Sequence, residues 1–173
     1  HYPGINQDKR ILMRRKVTLS KQKIDGKYRN LTALYRYWLR DVGYRTSSNT
    51  EIPDPLRYGT QVKLPIGYIE AEDYGNSREL ATCRIDFTNN FITVPMNQTN
   101  NWRYCDNNQN MTYMRRLGFI QKSKTPRAAI SLHRCYSPEA KDHFLSITDN
   151  CEGRGFKEWT FGYIYHPAYV RQL

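Results

Sequence analysis

The chain has 173 residues and a mass of 20.6 kDa, which suits one domain with or without an arm. Hydrophobic residues make up 39% and aromatic residues 13%, with 14 Tyr, so the chain is too rich in core-forming residues to be disordered. Lys+Arg 27 against Asp+Glu 16 leaves +11, which favours an anionic partner, and no apolar run approaches the ~18 residues of a membrane helix.

The chain begins at His1 and shows no apolar leader, which is consistent with a removed signal peptide or a trimmed chain. Residues 1–31 carry nine basic and two acidic side chains, a net +7 of the total +11. Arg14, Arg15, Lys16, Lys21, Lys23 and Lys27 are the candidate polyanion contacts. Val17, Leu19 and Ile24 add apolar positions, so this basic arm reads either as an edge strand or as a charged tail.

Residues 32–173 read as one β domain of three internal repeats, at about 32–72, 79–121 and 128–166. The first starts Leu34-Tyr35-Arg36-Tyr37 and ends Gly67-Tyr68-Ile69. The last starts Leu132-His133-Arg134-Cys135 and ends Gly162-Tyr163-Ile164. A weaker middle unit holds Thr82-Cys83-Arg84, Phe91-Ile92-Thr93 and Gly118-Phe119-Ile120. Arg thus recurs at 36, 84 and 134.

Each unit reads as strand, turn, strand, long loop, strand, because short β-branched and aromatic runs are bounded by Asn, Asp, Pro and Gly. Phe91–Val94 before Pro95 and Phe161–Tyr165 before His166-Pro167 are two such strands. A short helix is expected around Met111–Arg116, and Glu70, Glu72 and Asp73 are read as a linker. The expected fold is all-β: a pseudo-threefold, β-trefoil-like domain, whose closure removes exposed strand edges.

Cys83, Cys105, Cys135 and Cys151 allow three pairings. An even count without C-x-x-C favours disulfides over zinc. Cys83 and Cys135 flank the recurring Arg, and Cys105 and Cys151 precede the recurring Gly by 13 and 11 residues. The repeat therefore predicts Cys83–Cys105 and Cys135–Cys151, each bridge contributing about 3 kcal/mol. Sequons at Asn30, Asn97 and Asn110 mark candidate N-glycosylation sites and agree with a secreted, extracellular chain.

Arg134-Cys135-Tyr136, Asp142-His143-Phe144, Asp149–Gly153 and Phe161–Ile164 resemble a three-fold repeat family of secreted microbial and invertebrate proteins. Its pattern is Leu-Tyr-Arg-Tyr/Cys, then Asp-His-Phe, then Gly-Tyr. The resemblance covers residues 32–166, is best in the third unit, and implies an extracellular binding or scaffold role.

The chemistry-bearing residues point the same way. No Gly-x-Ser-x-Gly elbow, phosphate loop or H-E-x-x-H is present. Neither a catalytic site nor a metal or cofactor is expected. Arg36, Arg84 and Arg134 read either as repeated ligand contacts or as staples within their own repeats. Tyr68, Phe119 and Tyr163 read as core packing or sugar stacking, and His143 as a packing histidine rather than a metal or proton-transfer group.

The expected function is a non-catalytic extracellular matrix or scaffold module. It self-associates, or binds acidic or sulfated glycan or an anionic mineral surface through its basic arm. A lectin-like carbohydrate-binding protein and a basic secreted hydrolase are the alternatives. Nucleic acid is a disfavoured partner.

Overall fold

A computed structural model describes residues 20–39, 43–47, 65–88, 90–96, 105 and 110–170. They form ten strands: β1 Ser20–Ile24, β2 Lys27–Leu39, β3 Gly43–Ser47, β4 Gly67–Glu70, β5 Ser77–Ile85, β6 Phe91–Pro95, β7 Met111–Gln121, β8 Ala128–Ser137, β9 Asp142–Ser146 and β10 Phe156–Tyr165. The architecture is all-β, a curled antiparallel sheet in the form of a half-barrel.

The first turn shows how local chemistry starts the sheet. Asp25 and Gly26 take φ of 51° and 80° between Ile24 and Lys27. Positive φ at both central residues is the two-residue hairpin geometry that Asp-Gly favours. Period-2 alternation then turns Lys21 and Lys23 outward and Ile24 inward.

Three long–short hairpins follow, β2–β3, β5–β6 and β8–β9. Each long strand also pairs with a third strand, giving β2–β4, β5–β7 and β8–β10. The third strands β4, β7 and β10 each pair with the other two, placing Glu70 opposite Phe119, Gln121 opposite Tyr163 and Tyr165 opposite Tyr68.

That meeting explains the recurring glycines. Leu34, Leu80 and Leu132 lie opposite Gly67, Gly118 and Gly162. A Cβ on Gly67 would meet the Tyr165 carbonyl at 3.1 Å, one on Gly118 the Glu70 carbonyl at 2.7 Å, and one on Gly162 the Gln121 carbonyl. Only a residue without Cβ lets the third strands approach so closely. The three leucines, with Ile69, Ile120 and Ile164, are fully buried in the main core. Each buried aliphatic side chain contributes roughly 1.5–3 kcal/mol. Leu117 and Phe161 stand at β-bulges in β7 and β10 and reach the same core.

Both disulfides pair as the repeat predicts, Cys83–Cys105 and Cys135–Cys151. Cys83 lies opposite Ile92 and Cys135 opposite Phe144, the same place in the two hairpins.

Three readings are corrected. Met111–Arg116 is strand, because β5 offers it a ladder from Ile85 to Ala81, interrupted by a bulge at Met114, and tertiary pairing overrides local helical preference. Glu70 is not in a linker but ends β4 with its side chain fully buried. The arm boundary at residue 31 falls inside β2: residues 20–31 belong to the first hairpin, and Ile24 and Leu31 are buried. Residues 1–19, including Val17, Leu19 and most of the basic arm, lie outside the described residues.

Candidate functional site

The recurring arginines are set by strand register. Arg36 lies two residues beyond Leu34 and opposite Thr46, and Arg134 two beyond Leu132 and opposite Leu145. The corresponding residue in β5, two beyond Leu80 and opposite Thr93, is Thr82. Arg84 therefore does not share the position that its spacing in the sequence implied. It is exposed, with Nη2 3.9 Å from Asp86 Oδ1.

Arg36 reaches across to the β8–β9 hairpin and Arg134 to the β5–β6 hairpin, and Arg134 also pairs with Glu158 on β10 of its own unit. Arg36 Nη1 donates to the Leu145 carbonyl at 2.9 Å, and the guanidinium grips both oxygens of Glu152 at 2.5 and 2.9 Å. Such two-point pairs are the stronger charge-assisted hydrogen bonds. Arg36 holds the Glu152 carboxyl below the usual carboxylate range. Arg134 Nη1 donates to the Thr93 carbonyl at 2.9 Å, and its Nε to Glu158 Oε1 at 3.2 Å.

Where β5 carries Thr82 there is a gap. A cavity of about 10 Å³ is lined by Thr46, Thr82, Thr93, Arg134, His143 and Leu145, among others. The Thr82 hydroxyl is buried and has no hydrogen-bond partner. The space admits about one water-sized group.

Arg134 and His143 continue from the cavity to an exposed shelf. A bulge between Lys157 and Trp159 sets Glu158 out of the β8–β10 ladder, and bulges of this kind re-aim side chains. Glu158 Oε1 accepts from His143 Nδ1 at 2.6 Å as well as from Arg134. The Tyr136 ring packs on His143 at 5.1 Å and on Phe156 at 5.6 Å, tilted by 57° and 51°. Phe156 is 55% exposed and Trp159 48%. Phe156, Glu158 and Thr82 carry no motif signal, because a bulge, and a threonine at the register where β2 and β8 have arginine, leave no mark in spacing.

A second polar cluster lies among the third strands. Glu70, Gln121 and Tyr165 directly follow Ile69, Ile120 and Ile164 and converge. Glu70 Oε1 accepts from Arg29 Nη1 at 2.8 Å, Tyr165 Oη at 2.9 Å and Gln121 Nε2. Its Oε2 has no partner. Burial pushes the Glu70 carboxyl up, against the pull of these donors, and pushes the Tyr165 phenol up as well.

The basic hairpin is the third feature. Lys21 lies opposite Asn30 and Lys23 opposite Tyr28. The two ammonium groups stand 5.1 and 5.9 Å from the Tyr28 ring centre, and that ring is 64% exposed. Lys27, beside the turn, is also exposed.

Arg14, Arg15, Lys16, Asn97 and His1 lie outside the described residues. Asn110 is exposed, whereas Asn30 is half-buried, with its backbone bonded to Tyr74 Oη and to Ala71 N. Tyr68 is buried in a smaller core cluster that Tyr163 packs against. Phe119 is half-buried beneath the Arg116 guanidinium at 5.2 Å.

Among the described residues, no cluster of His, Cys, Asp and Glu is placed to hold a metal ion, and no helix is long and apolar enough to cross a membrane. No family model, curated protein or solved structure matches the chain.

Proposed function

We propose that this chain is a secreted, non-catalytic module that binds anionic polymer, such as a sulfated glycan, through the β1–β2 hairpin. The observation that carries the reading is the basic hairpin: Lys21 and Lys23 bracket the exposed Tyr28 on its outward face, and Lys27, opposite Ile24, is exposed beside the turn. Repeated cations at strand spacing suit repeated sulfate or carboxylate groups, and the contact weakens with salt. The two disulfides support an oxidising compartment.

Polymer binding is favoured over self-association by the sheet edge. Among the described strands β1 pairs only with β2. Lysines on such an edge discourage another copy from adding a strand. The β-trefoil-like, pseudo-threefold reading is part of the proposal. It is supported by equivalent glycines abutting equivalent carbonyls and by three hairpins of one pattern.

Retention on immobilised heparin tests the reading. Deleting residues 1–31 is unsuitable, because it removes β1 and the buried Leu31. The triple replacement Lys21→Ala, Lys23→Ala and Lys27→Ala instead leaves the core intact. It should elute at clearly lower salt, with an unchanged circular dichroism spectrum. Elution at the wild-type salt concentration overturns the hairpin as the binding face.

A further inference from the structure

The geometry points to a second site, separate from the hairpin: a neutral saccharide binds on the shelf of Tyr136, His143 and Phe156, with one hydroxyl seated in the cavity at Thr82. Three observations meet there. Phe156 is 55% exposed and the Tyr136 and His143 rings in line with it are half-buried, and the C–H face of a sugar ring packs on exposed aromatic rings. Polar atoms also remain available. Glu158 Oε2, His143 Nε2 and Arg134 Nη2 bond to no described residue. Together they provide one acceptor and two hydrogen-bonding nitrogens, a set suited to vicinal hydroxyls. The third observation is the buried, unpartnered Thr82 hydroxyl, which is costly to leave unmade. A sugar hydroxyl both donates and accepts, and it fills a space of one water.

Charge separates this ligand from the hairpin's. Arg134 and His143 share the Glu158 carboxylate, so the shelf carries no strong excess of either sign and does not select sulfate. The cavity exists because the second hairpin has Thr82 where the other two have Arg36 and Arg134. The substitution that removes a staple thus opens a pocket.

The test is calorimetric titration with soluble oligomers of glucose, N-acetylglucosamine, mannose and galactose, using the full chain. The wild type should bind at least one with a Kd below about 1 mM, ordinary for a shallow sugar site. Phe156→Ala should weaken that binding about tenfold or more without lowering Tm, since the ring is exposed. Thr82→Arg should block the cavity while restoring the third staple, so binding falls as Tm stays or rises. Heparin retention should be unaffected in both variants. No binding to any of the four oligomers, or wild-type binding by Phe156→Ala, overturns the site. Wild-type binding by a folded Thr82→Arg overturns the role of the cavity.

Discussion

Gly118 sits beneath the carbonyl of Glu70, so close that a Cβ on it would stand 2.7 Å from that oxygen. Its φ of 151° is also one that side-chain-bearing residues rarely adopt. The same contact joins Gly162 to Gln121 and Gly67 to Tyr165. Gly118→Ala should therefore destabilise the fold by about 2–4 kcal/mol, through backbone strain and a forced shift of β4. Gly75, with open space around it and φ of 92°, should lose only about 1 kcal/mol on the same change. Urea denaturation of the two variants checks the contrast.

The Arg36–Glu152 pair sets an acid limb in stability. Its folded-state pKa lies below the unfolded value. The stabilisation is therefore present above the ordinary carboxylate range and is lost as pH falls through the lowered value. Glu152→Gln should cost about 1 kcal/mol near pH 7, because the pair is only partly buried, and progressively less as pH falls toward 3. Thermal melts of both proteins across pH 3–7, about the range over which carboxylates titrate, check this difference.

Glu70 should show the opposite slope. Burial raises its folded-state pKa, so its contribution is full below the unfolded value and is lost as pH rises through the raised one. Glu70→Gln removes this titration, so its stability relative to wild type should improve as pH rises from about 4 to 7. A relative stability that falls over that range would show that the Arg29 pair outweighs burial.

Replacing both Cys135 and Cys151 by Ala should cost about 3 kcal/mol, the loop-closure value for a separation of 16 residues. The pair Cys83 and Cys105, separated by 22, should cost a similar amount. Denaturation in matched buffers without reductant measures each bridge by itself.

Many local features were legible. Asn, Asp, Pro and Gly punctuation outlines β6 and the C-terminal half of β10, whereas charge and apolar spacing leave the arm open between edge strand and charged tail, and Ile24 falls in strand β1. The cysteine pairs follow from their offsets to recurring residues, although in β5 the residue at the register of Arg36 and Arg134 is Thr82 rather than Arg84. Arg84 stands two residues beyond Thr82. Side-chain alternation does not detect a shift of two, because such a shift keeps the face. The helix expected at Met111–Arg116 failed for a related reason: local propensity carries no information about the β5 ladder waiting for that segment.

By itself the sequence determined the strand-forming runs, the cysteine pairs, the basic residues of β1 and β2 and the Gly-aromatic-Ile endings. These depend on turn chemistry, charge and period-2 patterning, all of which act between near neighbours. Tertiary structure alone decided that Glu70 is buried, that Thr82 lacks the arginine of its counterparts, and that Arg134, His143 and Glu158 meet at one shelf. Those outcomes depend on bulges and on pairing between distant strands, where one inserted residue re-aims a side chain without leaving a mark in composition or spacing.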